Sequence, residues 1–191
     1  MATDVVVLDA CVLYRAQLRN CLLSLAAADL FRPKWSDAIH EEWISNLLSN
    51  RSDLRRKDLE MTRDVMNSKF IDSVVQGSDP LISTLTLPDP NDRHILAVAI
   101  HSHADAIVTF NRKDFPPATL GPYGIVAVEP DEFASYLLDL DEDAALEALA
   151  KMRCRLKNPS MTPAEFVDSI EKAGLPFAAS RLRSPLYLSR L

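Results

Sequence analysis

At 191 residues, 48% of them hydrophobic, the chain can bury one good core and carry a short appendage, but hardly two full domains. No basic-then-apolar leader and no apolar run near the roughly 18 to 20 residues of a membrane span is present, which reads as a soluble, cytoplasmic protein without a membrane partner; three cysteines, Cys11, Cys21 and Cys154, lacking C-x-x-C spacing argue against a disulfide framework or a zinc site. The net charge of −6 weighs against a nucleic-acid partner, yet residues 1–150 carry 13 basic and 24 acidic side chains while residues 151–191 carry 8 and 3, so an acidic metal site in the body and a basic surface in the tail both stay open.

In chain order, Val5-Val6-Val7-Leu8 is a short β-branched run of the kind buried in a parallel sheet, and Asp9 ends it. Helical spacing of Leu18, Leu22 and Leu25 predicts a helix over 11–30. Phe31 to Trp35 is an extended connection around Pro33, and Ser36 is an N-cap for a helix running to about Leu48. A second, charge-rich helix covers about 53–70. Leu81 to Leu87 reads as a strand, and Pro88-Asp89-Pro90-Asn91 as a turn feeding a helix from Asp92 to about His101. Ala106 to Thr109 and Ile125 to Val128 are further buried strands, the first followed by the polar loop Asn111-Arg112-Lys113-Asp114. Pro130 opens a helix, and two or three more are expected beyond Leu140, around Ala144–Met152 and Phe166–Ala173. The alternation predicts an α/β fold with a mostly parallel central sheet and helices on both faces, whose site lies beyond the carboxyl ends of the strands. Asp9 and the loop bearing Asp114 meet there.

Acidic residues stand where apolar ones would pack. Asp92 shares a helix face with Ile95, Leu96 and Ala99, although an Asp in a first helical turn is also favoured by the helix dipole alone. Carboxylates brought together repel one another unless some take up protons or a hard divalent cation sits among them. Such an ion activates water and stabilises charge on a scissile phosphate.

Four segments in order resemble the PIN-domain nucleases, and within them the VapC toxin of type II (VapBC) toxin–antitoxin systems, over about residues 4–138. They are Val6 to Leu13 around Asp9, Trp35 to Glu42, Asp89 to Ala97 around Asp92, and Ile107 to Phe115 ending in Asp114. The resemblance implies a PIN-like three-layer α/β/α domain over 1–140, with a basic helical C-terminal extension over 141–191. It implies Asp9, Glu42, Asp92 and Asp114 as catalytic, metal-binding carboxylates for Mg2+ or Mn2+. Asn111 and Thr109 are implied as supporting residues, with Asp89 a further acid nearby that also suits a plain turn role. The activity implied is metal-dependent endonucleolytic hydrolysis of RNA, with a small antitoxin protein as partner and a homodimer left open.

On a helical wheel Glu41 and Glu42 both lie at the margin of the apolar stripe, so periodicity does not choose between them; the spacing from Ser36 in the resemblance favours Glu42. Arg112 and Lys113 can steady a phosphate or merely solvate a loop. The histidines His40, His94, His101 and His103 do not form a zinc pattern, and Cys11 reads as a small packed residue under Asp9. A phosphotransfer receiver would want adjacent acids after the first strand, and a haloacid-dehalogenase-type phosphatase a second Asp where Cys11 stands. A PIN-like binding module without catalysis, or a PIN nuclease that processes RNA outside a toxin pair, are the remaining readings. In the tail, Arg153, Arg155, Lys157, Arg181 and Arg183 are candidates for holding RNA or an acidic partner.

Overall fold

A computed structural model describes residues 3–157 and 159–191. The elements in chain order are β1 (Val5–Leu8), α1 (Ala10–Tyr14), α2 (Ala16–Ala26), β2 (Arg32–Lys34), α3 (Asp37–Asn50), α4 (Arg56–Lys69), α5 (Asp79–Ile82), α6 (Arg93–His101), β3 (Ala106–Val108), α7 (Pro117–Leu120), β4 (Val126–Val128), α8 (Pro130–Leu140), α9 (Glu142–Arg155), α10 (Pro163–Lys172), α11 (Pro176–Leu182) and α12 (Pro185–Leu188). The described residues divide into two compact units, one of 4–14 and 32–128, the other of 3, 15–31, 129–157 and 159–191. Among the described residues no helix is long and apolar enough to cross a membrane.

The first unit holds the sheet, with order β2-β1-β3-β4 and every pair parallel. The α/β class expected from the sequence is the class found. The two central strands are β1 and β3, and every residue of both is buried, which is why their sequences are unbroken apolar runs without alternation. Segment 32–34, expected only as an extended connection, pairs with β1 through Val5↔Arg32 to Val7↔Lys34 and becomes an edge strand. An edge tolerates Pro33, which has no N–H to give to a ladder. Helix α6 packs against β1 and β3 through Ile95, Leu96, Ala97, Val98 and Ala99, all buried.

Helix α3 starts where Ser36 indicates: its side chain accepts from Ile39 N, a cap that typically contributes about 1 kcal/mol. Its buried residues are Ile39, His40, Trp43 and Ile44. His40 is buried by a closed set of hydrogen bonds. The Trp43 indole N–H donates to His40 Nδ1 at 3.0 Å, which places the ring proton on Nε2, 3.0 Å from Asn67 Oδ1. The same Asn67 oxygen accepts from the Trp35 indole at 2.9 Å. This set ties α3 to α4 and to the end of β2.

Two expectations fail here. Leu81 to Leu87 is not a strand: α5 begins at Asp79, and the Thr84 N–H and hydroxyl both return to the Leu81 carbonyl, at 2.9 and 2.7 Å. Leu85 and Leu87 are buried while Thr84 and Thr86 are exposed, so the alternation that suggested a strand is real, but the segment belongs to no sheet ladder among the described residues. The single helix expected over 11–30 is broken at Arg15, whose φ of −84° and ψ of 107° are extended; α1 belongs to one unit and α2 to the other.

The second unit is helical. Helix α2 packs on α9 and α10, and α8 on α9 and α11, with Phe31 and Phe133 edge to face at 5.0 Å. Helix α10 carries a full capping box, Thr162 with Glu165. Among the described residues four helices rather than two or three follow Leu140; α11 and α12 are short and each is opened by a proline. The buried Asp131 carboxylate accepts from Phe177 N at 2.8 Å and Ala178 N at 3.0 Å, capping α11 from α8.

Replacing His40 by Ala removes the acceptor of the Trp43 indole and the partner of Asn67. Urea unfolding should then show a loss of about 1–3 kcal/mol; an unchanged midpoint would mean that the His40 set does not hold α3 in place.

Candidate active site

The register Leu8↔Val108 sets the next residues of the two central strands, Asp9 and Thr109, side by side although they are 100 apart in sequence. Asp9 is 2% exposed. Its Oδ2 accepts from Thr109 Oγ1 at 2.5 Å and from Cys11 Sγ at 3.1 Å, and its backbone N–H donates to Val108 O at 3.1 Å. Burial pushes the Asp9 pKa above its ordinary value despite these donors, and Glu42 adds to the rise. Cys11 is thus more than a small packed residue, since its thiol orients the carboxylate. Burial and the Asp9 charge push that thiol up to about 12, so it is not a nucleophile near neutral pH. Thr109 in turn accepts from Asn111 N at 2.9 Å, and Asn111 enters the site through this backbone N–H.

Asp92 lies in a 3-10 turn, Pro90–Asp92, at the mouth of α6. The Asp89 side chain caps that turn by accepting from Asn91 N at 2.9 Å, so Asp89 has the turn role and also stands near the cluster. Asp114 closes the 3-10 turn Arg112–Asp114 that follows β3. Burial, then the charges of Asp9, Asp89, Asp114 and Glu42, push the Asp92 pKa up to about 6. Asp92 therefore senses the other three acids of the sequence reading at the end of the sheet, and Asp89 as well.

Helix α3 separates the two adjacent glutamates. At 100° per residue, burial of Ile39, His40, Trp43 and Ile44 places Glu41 and Glu42 on opposite flanks of the inner face. Glu41 turns to α4, where Arg56 grips both its oxygens at 3.0 Å and the Ser45 hydroxyl donates at 2.6 Å; the Arg56 and Ser45 hydrogen bonds hold its pKa down near 2. Glu42 turns the other way, toward Asp9 and Asp92. The structure brings Glu42, and not Glu41, to the cluster.

His94 is the residue the sequence reading missed in this role. Its Nε2 lies 3.2 Å from Glu42 Oε2, an ion-pair distance though out of line for a hydrogen bond, and its Nδ1 lies 2.7 Å from the Asn91 carbonyl. A carbonyl only accepts, so Nδ1 carries a proton. Burial works against the charged ring, yet Glu42, the Asn91 carbonyl and Asp9 together hold the pKa above the usual histidine value. The Asn91 contact is local to the turn and legible in principle; the Glu42 contact, made across 52 residues of chain, is not.

Carboxylate oxygens of this kind match a hard divalent cation, and the acid charges that add to burial in raising the Asp92 pKa place negative potential there. Among the described residues no three His, Cys, Asp or Glu groups are drawn together as a cage. Magnesium takes only one or two carboxylates directly and fills its octahedron with water and phosphate oxygens. Asp9, Glu42, Asp92 and Asp114 are the residues that would hold it.

The family model for the PIN domain matches residues 5–113, and the model described as the VapC50 C-terminal domain matches residues 130–184. A protein of Mycobacterium tuberculosis (strain ATCC 25618 / H37Rv) named "Putative ribonuclease VapC50" is 39% identical over 92 residues. That match spans 48% of this chain and 54% of the relative, so the chain is aligned with about half the length of the protein it resembles. No solved structure gives a significant match.

The Asp92 shift carries a sign for stability. A folded pKa near 6 against an ordinary 3.8 means that the group's stabilising protonation is complete below about 3.8 and is lost as the pH rises through 6. In metal-free protein, Asp92→Asn should raise the urea midpoint at pH 7 and flatten its dependence between pH 4 and 6. A lower midpoint for the Asn variant at pH 7 would contradict the strain assigned to this carboxylate.

Proposed function

Because the chain belongs to the PIN-domain family, we propose that it is a Mg2+- or Mn2+-dependent endoribonuclease, the toxin of a toxin–antitoxin pair. The observation that carries this reading is the gathering of acids at the end of the sheet, where burial, and then the charges of Asp9, Asp89, Asp114 and Glu42, raise the Asp92 pKa to about 6. The relative named as a ribonuclease supports the choice of RNA as substrate. In this reading the catalytic, metal-binding set is Asp9, Glu42, Asp92 and Asp114. Thr109 and the Asn111 backbone hold Asp9, while Asp89 shapes the turn under Asp92. Residues 1–140 form the nuclease domain and 141–191 an extension, and the protein works in the cytoplasm.

When bound, the cation supplies Lewis-acid stabilisation of the scissile phosphate and lowers the pKa of the attacking water. The chain's own groups do the rest. Thr109 and Cys11 fix the Asp9 Oδ2 by donating to it, while Oδ1 accepts the Cys11 N–H at 3.4 Å. His94 holds Glu42 on the inner side of α3.

An antitoxin that binds the basic tail has fewer arginines to grip than the sequence suggests. Arg153 donates to the backbone carbonyls of Leu191 and Met161 at 2.6 and 2.7 Å. Arg181 pairs with Asp139, and Arg183 with Asp168 and Glu171. An acidic partner is therefore assigned to Arg155 and Lys157, both exposed, and Arg153 to anchoring the chain end.

Purified protein should cleave single-stranded RNA with Mg2+ or Mn2+ and stop in excess EDTA. Asp9→Asn should reduce the rate by more than the roughly hundredfold that loss of a metal's outer-shell partner costs, with the fold intact by circular dichroism. Full cleavage in EDTA would overturn the metal mechanism, and RNA binding without cleavage under any divalent ion would leave a binding module instead.

The two glutamates give a second test. Glu42→Gln should lose most of the activity. Glu41→Gln removes only an exposed pair with Arg56, an interaction of about 0–1 kcal/mol, and should retain nearly all of it. Reversed effects would move the ligand role to Glu41.

A further inference from the structure

Helix α6 opens with an imidazole lodged between two of the elements that carry the acids. His94 Nδ1 lies 2.7 Å from the carbonyl of Asn91, the residue before Asp92, and Nε2 lies 3.2 Å from Glu42 Oε2 on α3. The Nε2 atom is buried and makes no hydrogen bond among the described residues, so Glu42 meets no competitor for it. We propose that His94 is a positioning residue acting through Glu42: its ring is a strut that fixes Glu42 relative to the turn bearing Asp92 and thereby sets the affinity for the divalent cation. The assignment rests on the metal-dependent reading of the cluster and says what keeps one of its ligands in place.

Three observations carry it. First, the ring is anchored at its far end on a turn that is itself braced: Asp89 accepts from Asn91 N at 2.9 Å, and Arg93 Nε donates to Pro90 O at 2.8 Å. Whatever Nε2 touches is therefore held in register with Asp92. Second, fastening α3 does not need this ring, because the His40 set already ties that helix to α4 and to the end of β2. What stays movable is the Glu42 side chain, which is 37% exposed and has rotamer freedom to lose when a cation orders it. Third, the neighbouring Glu41 shows a fully engaged carboxylate on the same helix, with Arg56 at both oxygens and Ser45 donating as well. Glu42 has a single nitrogen at one oxygen, on a group with about four acceptor positions, so it is held and keeps the capacity to take a cation. Partners of this outer kind orient a metal's ligands, and their loss typically costs about 10- to 100-fold in affinity.

Calorimetric titration of Mn2+ into the full chain at one fixed pH tests it, with circular dichroism to confirm that each variant folds. His94→Ala should weaken binding about 10- to 100-fold. A Gln side chain carries its amide about as far from the backbone as Nε2, and an Asn about as far as Nδ1. His94→Gln should therefore recover most of the affinity, and His94→Asn should stay with the Ala variant. In a Glu42→Gln background, where the carboxylate is gone, His94→Ala should cost little more, because residues that act as a pair are not additive. Unchanged affinity in His94→Ala overturns the proposal while leaving the metal mechanism standing. Rescue by Asn and not by Gln, equal losses in all three variants, or additive losses with Glu42→Gln make the ring a structural part of α6 and overturn it equally. The comparison of Gln with Asn decides alone if His94→Ala does not fold. If wild-type protein binds no divalent ion, the metal-dependent reading itself has failed and the strut falls with it.

Discussion

Like charges gathered at the end of a parallel sheet set the terms for the rest of this protein. Asp92 feels burial and then Asp9, Asp89, Asp114 and Glu42, and its pKa rises to about 6. Nothing in a folding argument favours such a gathering, because each carboxylate would be better solvated alone. The cluster persists because rigid elements deliver its members: β1 delivers Asp9, the mouth of α6 Asp92, the turn after β3 Asp114 and α3 Glu42. A site built by strand ends and helix starts holds these acids together, and in the proposed function a divalent cation is the species whose binding would relieve their repulsion.

The supports around the cluster are neutral or locally paired, so they hold the acids without discharging them. Thr109 and Cys11 donate to Asp9 without bringing a formal charge. The Trp35, Asn67, His40 and Trp43 set fixes the rotation of α3 through neutral hydrogen bonds, and that rotation decides which of two adjacent glutamates faces inward. The group placed to offset charge, His94, is turned to Glu42 alone and is itself opposed by burial. Other strong cations are engaged away from it: Arg56 on Glu41 at the outer flank of α3, and Arg153, Arg181 and Arg183 within the helical unit. The basic excess of the tail, so conspicuous in the sequence, is largely taken up by backbone carbonyls and by acids of the same unit.

Where a residue's role follows from its own segment, the sequence shows it. The unbroken apolar runs at 5–8 and 106–108 announce central parallel strands, the Asp at the end of the first announces the site, and Ser36 announces the start of α3. Thr162 and Glu165 announce α10 in the same way. What escapes is set by partners distant in the chain. Glu41 and Glu42 are equivalent on a helical wheel, and only α4 on one flank and α6 on the other tell them apart. His94 gains its contact with Glu42 through the packing of α3 on α6. Residues 81–87 alternate as a strand does and bury Leu85 and Leu87 accordingly, but a strand also needs a neighbour to take its backbone, and periodicity carries no information about that. The break at Arg15 is of the same kind: α1 and α2 are each apolar at helical spacing, and the extended backbone between them leaves no mark in the pattern.

In the proposed function a hard cation replaces a proton among these carboxylates. Calorimetric titration of Mn2+ into the protein, run in buffers of different ionisation enthalpy, counts the protons displaced on binding. With Asp92 titrating near 6, binding at pH 6 should release a fraction of a proton that vanishes by about pH 8, and Asp92→Asn should abolish that release along with most of the affinity. Mn2+ binding at pH 6 with no proton released, or the same release from the Asn variant, would contradict it.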